Sequence, residues 1–269
     1  MQEPIPLNQG GWTLPELPAG FRWSMEDSSA TLTCDSLLPW THGWTTRSLE
    51  LSGVDEGRTA GWTRLSARCG VAPDAVIRLR QVHGSAVLHA GADLEARPVG
   101  DGLLSRDADT LLTVAVADCV PLLIGDRLSG AVGAVHAGWR GTSEGIARRA
   151  VERLVELFDS RPSDLIAAIG PSIGPCCYEV GPELLESFRV LGWPESRLRS
   201  WFDGRSRPHL DLWAANRDQL VETGVPPASI AVARMCTACQ TSVFHSFRCD
   251  GSRAGRMVGF IRAAQPPRP

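Results

Sequence analysis

Three residues in this 269-residue chain have side chains and positions suited to one reactive centre: His83, Cys119 and His136. His83 closes the run AVIRLRQVH and precedes Gly84. Cys119 stands beside Asp118, and His136 lies between Val135 and Ala137, ahead of a Gly-Trp-Arg-Gly turn. Each falls at the end of an apolar, strand-like stretch. Two imidazoles and one thiolate make a three-ligand Zn²⁺ site whose fourth position stays open. Water there has its pKa lowered towards about 7, which supplies hydroxide near neutral pH. Without metal, the same residues read as a Cys119 nucleophile with a His136 base. A lone histidine at a strand end is ordinarily structural, and no local HxxxH pair is present. The fold must therefore assemble the centre.

The stretch best placed to do so is 107–142, DADTLLTVAVADCVPLLIGDRLSGAVGAVHAGWRGT. Two runs rich in Val, Leu and Ala flank a polar break from Gly125 to Gly130, which predicts a β-hairpin. Centred between Arg127 and Leu128, that hairpin sets Cys119 directly opposite His136. Pro121 lacks an N–H, so the pairing beside Cys119 should be irregular or at a sheet edge. Trp139 stands where it could shape a pocket.

Around this hairpin the chain reads as an irregular or edge segment at 1–39, one α+β domain at 40–262 and a frayed tail at 263–269. A strand over 40–47 ends in Arg47, a helix spans about 59–69 with Gly70 as its stop, and a further strand covers 75–83. After the hairpin, Thr142 or Ser143 caps a helix whose apolar face is Ile146, Ala147, Ala150, Val151, Leu154 and Leu157–Phe158. A strand at 164–169 runs into the Gly/Pro-punctuated loop GPSIGPCCYEVGPE. Helices are predicted at 183–190 and 211–223, strands at 230–234 and 258–261, and irregular polar chain at 192–209. Cys236-Thr-Ala-Cys239 forms a CxxC, but Cys176-Cys177 lacks the spacing of a zinc-ribbon partner, so the CxxC reads as two half-buried thiols, with a redox or metal role as the alternative.

Composition limits the options. With 43% hydrophobic and 21% charged residues the chain is an ordinary globular protein. A net charge of −3 gives no electrostatic reason to expect nucleic acid or an anionic membrane as partner. All 27 basic residues are Arg, which excludes lysine Schiff-base chemistry and a P-loop lysine. The start lacks a basic region followed by an apolar stretch, so no signal peptide is expected. Apolar runs fall short of the ~20 residues a membrane span needs. The eight cysteines then read as reduced thiols in the cytoplasm, with a disulfide framework as the alternative.

Taken together, QVHG at 81–84, ADCVPLL at 117–123, HAGWRGT at 136–142, IGPSIGPCCYEVG at 169–181, DLWAANRDQL at 211–220 and CT…FR.DG…GRM at 236–257 resemble the YfiH family. This is also called the polyphenol oxidase laccase-domain or purine nucleoside phosphorylase family. The resemblance implies an α/β sandwich and a Zn²⁺ site at His83, Cys119 and His136, with Cu²⁺ as the alternative metal. It also implies purine nucleosides and phosphate as substrates. Members are credited with phosphorolysis of adenosine, guanosine, inosine and methylthioadenosine, with adenosine deamination and with copper-dependent polyphenol oxidation. Some bacterial members are linked to peptidoglycan fidelity.

Within that frame Arg47, Arg140 and Arg248 are candidates to grip phosphate through bidentate hydrogen bonds, or else structural ion pairs. Asp118 is a candidate acid/base or a residue that orients a ligand. Two departures stand out. SLELSGVDEGRTAG (48–61) replaces the family's Gly-rich stretch, and the SYRRDG-like motif reads SFRCDG, placing Cys249 where an Arg is usual. Competing readings are a copper polyphenol oxidase, a metal-free Cys–His hydrolase, and a non-catalytic cell-wall or partner-binding protein with structural zinc. A laccase mechanism needs paired His-x-His ligands, and none of the six histidines forms one.

Overall fold

Strands buried on both faces need cover on both sides, and this chain supplies it as four layers: helix, sheet, sheet, helix. The computed structural model describes residues 6–7, 12–49, 51, 60–91, 94–95 and 97–264. In chain order the first elements are β1 (Pro6–Leu7), β2 (Trp12–Thr13), β3 (Phe21–Glu26), β4 (Ser29–Cys34), β5 (Thr41–Thr45) and α1 (Ala60–Arg68). Next come β6 (Val76–Ile77), β7 (Val87–His89), β8 (Gly102–Ser105), β9 (Leu111–Val116), β10 (Val120–Asp126) and β11 (Val132–Ala137). They are followed by α2 (Trp139–Ser143), α3 (Ile146–Phe158), β12 (Leu165–Ile169), α4 (Pro182–Val190) and α5 (Glu195–Trp201). The chain closes with α6 (Leu212–Glu222), β13 (Ile230–Val232), α7 (Phe247–Asp250) and β14 (Met257–Arg262).

Two mixed six-stranded sheets result, ordered β13-β12-β10-β11-β8-β7 and β3-β4-β5-β14-β9-β6, beside a small β1-β2 pair. Alternation along the strands sorts the core. On β12, Leu165, Ala167 and Ile169 pack with α3 and α6, whereas Ile166 and Ala168 face the second sheet. On β14, Met257 and Ile261 face the first sheet while Val258 and Phe260 pack on α1. Trp44 of β5 bridges the sheets, its indole N–H donating to the Pro121 carbonyl at 3.1 Å. No helix among the described residues is long and apolar enough to cross a membrane. All eight cysteines are free.

The α+β sandwich agrees with the sequence reading, and so do the element types of α1, α3, α4, α6, β12, β13 and β14. Several expectations need correction. Part of the N-terminal segment, residues 21–34, is not irregular but the antiparallel pair β3–β4, with β3 at the edge of the second sheet. The apolar run 111–124 is not one strand. It breaks at Asp118, whose φ is +88°, and passes from β9 in the second sheet to β10 in the first.

The β10–β11 hairpin exists, but its register is displaced: Pro121 opposes His136 and Val120 opposes Ala137. The cause is the position of the loop, 127–130, which is centred one residue later than the break in composition. Asp126 N–H donates to the Ala131 carbonyl at 2.8 Å, and the Asp126 carboxylate accepts from Leu128 N and Ser129 N at 2.8 and 3.1 Å. Cys119 is thus a diagonal neighbour of His136. Pro121 is not at an edge either, since β10 is central. It falls just past the end of β12, where the Pro121 carbonyl accepts from Gly170 N at 3.0 Å and no partner requires the missing N–H.

Only Val76–Ile77 of the expected 75–83 strand pairs as β6. Beyond it the Gln81 side chain substitutes for backbone, exchanging two 2.8 Å hydrogen bonds with Ala115 N and O. Thr142 and Ser143 lie inside α2 rather than capping α3, which starts after Gly145 at φ +81°. Residues 195–201, taken as irregular, form α5 and bury Leu198 and Trp201. Most of the divergent 48–61 segment (50 and 52–59) and the tail from 265 lie outside the described residues.

Candidate metal centre

Three separate elements deliver the three candidate ligands. Cys119 occupies the sheet switch just before β10, His136 is the fifth residue of β11, and His83 follows the Gln81 clasp at φ +60°. One ligand atom from each lies within 4.8 Å of the others. The His83 and His136 rings are edge-on, with centroids 4.8 Å apart. Exposure is graded, from exposed His83 through half-buried Cys119 to buried His136. The centre therefore opens to solvent on the His83 side.

Asp101, which the sequence reading did not single out, holds this arrangement. Its side chain is fully buried. One oxygen meets His136 Nδ1 at 2.8 Å and accepts from His83 N at 2.9 Å. The other accepts from Gly84 N at 2.8 Å and Val82 N at 3.3 Å. The Asp101 carbonyl also accepts from His136 N at 2.7 Å. One carboxylate thus sets the tautomer of one histidine and the backbone turn of the other, leaving His136 Nε2 free for an ion. Burial alone would raise the Asp101 pKa, but these donors hold it below the usual carboxylate range.

The electrostatics suit a cation. Burial pushes the Cys119 thiol up, yet the His136 and His83 imidazoles outweigh it and bring its pKa to about 6. Burial lowers His136, but the Cys119 sulfur and Asp101 carboxylate raise it to about 9. One sulfur and two imidazole nitrogens are a normal zinc donor set, and the carboxylate behind His136 is its usual support. The residues present fit the ion.

Gly138 must be a glycine for this to close. A Cβ there would stand 2.9 Å from Cys119 Sγ and 3.2 Å from His83 Cδ2.

The other expected residues are placed differently. Both Asp118 oxygens are occupied, by Thr237 Oγ1 and by Arg248 N, each at 2.6 Å. Its carbonyl accepts from Ile173 N at 2.8 Å. Arg47 is engaged by main chain, its guanidinium donating to the Thr241 carbonyl and its N–H to Val243 O at 2.9 Å. Arg248 donates to the Cys177 and Glu179 carbonyls at 3.1 and 2.9 Å and stacks over Tyr178. Tyr178 is the chain's only tyrosine. Burial and the nearby Cys119 sulfur push its phenol pKa up, so it stays a donor. Arg140 is exposed on α2, stacks over Trp139 at 5.2 Å and has no ion pair among the described residues.

The remaining histidines do not gather. His42 is buried with both ring nitrogens engaged, by Cys34 N and Trp40 O at 2.9 Å each. His89 packs edge-on against Phe158, and His209 lies 3.4 Å from Asp203.

Known proteins are similar to this chain in sequence and architecture. A family model described as multi-copper polyphenol oxidoreductase laccase matches residues 55–264. Purine nucleoside phosphorylase YlmD of Geobacillus stearothermophilus is 44% identical over 62% of this chain, the match spanning 61% of that protein. A purine nucleoside phosphorylase of Deinococcus radiodurans is 38% identical over 82% of this chain and 88% of its own length. The adenosine deaminase RL5, from an unknown prokaryote, is 33% identical over 71% of this chain and 76% of its own. Crystal structures of YlmD and of Bacillus licheniformis YfiH superpose with TM-scores of 0.80 and 0.82. They cover 90% and 91% of this chain, and 99% and 100% of their own, at 32% and 27% identity. The chain therefore belongs to the multi-copper polyphenol oxidoreductase laccase family, alongside YlmD and YfiH.

Proposed function

We propose that this protein is a zinc-dependent purine nucleoside phosphorylase, acting on adenosine, inosine, guanosine and methylthioadenosine, with adenosine deaminase activity. The observation that carries the reading is the centre of His83, Cys119 and His136, held by Asp101 and open on one side. The names of the relatives supply the substrate class.

His83, Cys119 and His136 would hold the ion. Bound there, it supplies Lewis acidity at a position its three protein ligands leave open. Arg140 is the cation with freedom to meet a phosphate, because no carboxylate among the described residues occupies it. Arg248 and Arg47 brace the loops around the site through main-chain carbonyls. Asp118, saturated by Thr237 and Arg248, positions Cys119 rather than moving protons. The Tyr178 phenol keeps its proton and can donate it in a hydrogen bond.

The donor set favours this reading over a multi-copper oxidase, since only two of the six histidines converge. The test is chromatography of adenosine and inosine incubated with the protein, with and without phosphate, beside Cys119→Ser. Phosphate-dependent release of free base, absent in Cys119→Ser, is the expected result. No turnover by a protein carrying stoichiometric zinc at this centre would refute it.

A further inference from the structure

We propose a second metal site: a structural Zn²⁺ held by the four sulfurs of Cys176, Cys177, Cys236 and Cys239. From sequence, an adjacent pair and a CxxC about 60 residues away do not match a ribbon, so half-buried thiols are favoured over a metal role. The fold brings the two pairs together. All four sulfurs lie within 4.8 Å of one another. Cys239 Sγ is 3.3 Å from Cys177 Sγ and 3.6 Å from Cys176 Sγ. Tetrahedral ligands at a Zn–S distance of about 2.3 Å stand roughly 3.8 Å apart, so the cluster needs only small adjustment.

Three further observations support an ion over four idle thiols. Unligated cysteine behaves as a small apolar residue and is ordinarily buried, yet Cys176 and Cys239 are exposed. Gly174 N–H points at Cys236 Sγ at 3.3 Å, an arrangement that favours thiolate. An S₄ set on one divalent ion carries a net charge of −2. The Arg248 guanidinium, bonded to the Cys177 carbonyl, stands beside it to offset that charge.

The site has a clear mechanical task. It ties the loop after β12 to the loop after β13, which otherwise meet through an isolated bridge between Ser172 and Cys236. Those two loops supply Ile173 and Thr237, which grip Asp118. Zinc binding displaces the four thiol protons to solvent and involves no redox change.

The test is metal content of the full chain, purified with reductant and zinc, by plasma mass spectrometry. The expected stoichiometry is two zinc ions per chain, falling to one in Cys119→Ser and to one in Cys176→Ser/Cys239→Ser. Cys249→Ser should retain both. In Cys119→Ser, cobalt substitution should still give intense sulfur-to-metal charge-transfer absorption, and zinc should still raise the melting temperature. One zinc per wild-type chain, lost entirely in Cys119→Ser, would overturn the proposal. A Cys177–Cys239 disulfide in peptide maps of the reductant-purified protein would do so equally. The wild-type count decides the matter even if the double variant fails to fold.

Discussion

Replacing Asp101 by Asn is the sharpest probe of the centre, because it keeps the shape and removes the charge. The carboxylate serves His136 Nδ1, His83 N, Gly84 N and Val82 N. An amide offers one acceptor oxygen and one NH₂, so one of the two pairs of donors must face another donor. If the oxygen stays on the His136 and His83 side, Gly84 and Val82 lose their acceptor. If it flips, His136 loses the group that sets its tautomer. An unpaired buried donor costs about 1–3 kcal/mol; these backbone donors are only part-buried, so the loss is at most about that much for each one left unpaired. Loss of a carboxylate behind a ligating histidine typically weakens metal binding about 10- to 100-fold, about 1.4–2.8 kcal/mol. The assay is competition for zinc against a chromogenic chelator at neutral pH, with thermal melts with and without metal. Asp126→Asn is the control, since Asp126 touches Ser129 and the turn N–H groups but not the histidines. Zinc affinity in Asp101→Asn within twofold of wild type, at the histidine centre, would refute the reasoning.

Four further outcomes are expected. Gly138→Ala should fold but lose metal from the histidine centre, because its Cβ meets the Cys119 sulfur at 2.9 Å; full occupancy by metal analysis would count against that geometry. Arg140→Ala should raise KM for phosphate about 10- to 100-fold, the worth of a charged hydrogen bond, with metal content unchanged; an unaltered KM removes Arg140 from phosphate binding. Chelated protein should alkylate at Cys119 with a rate that rises with pH around 6, where its thiol ionises, and zinc should protect it; a midpoint near 8.5 would deny the pairing with His136. Asp126, whose pKa is held low by Ser129, Ser160 and the turn N–H groups despite burial, binds its proton more weakly folded than unfolded. Its contribution is complete above the unfolded value of about 3.9 and drains away as pH falls through the lower folded value. Asp126→Asn should therefore be less stable at pH 7 yet lose less on acidification, read by denaturant titration.

How far the sequence foretold this molecule depends on how local each signal was. The α3 stripe and the β10–β11 hairpin rest on periodicity within one element, and both were legible. The hairpin register was not, because the Asp126 side chain sets the turn one residue later than the composition break, through acceptors that periodicity does not encode. The break at Asp118 was hidden because both sheets bury both strand faces, so Leu111–Val116 and Val120–Asp126 share one apolar character. α5 escaped notice since ESRLRSW buries only Leu198 and Trp201. His83 and His136 could be matched to family motifs, whereas Asp101 in Gly-Asp-Gly looks like an ordinary turn. Its partners lie 17 to 35 residues away, and only the fold joins them. The four-cysteine cluster was missed likewise, its halves being more than 60 residues apart.

The passage from β9 to β10 has no slack. Val116 ends one sheet, Val120 begins the other, and only Ala117, Asp118 and Cys119 lie between. Any sliding of one layer over the other must be absorbed in that short tether, and one of its residues is a proposed ligand. On that reading, ion binding at the centre is a strain gauge for the whole sandwich. A bulky substitution deep between the sheets, far from any ligand, would be felt at Cys119 as a change in how firmly the ion is held.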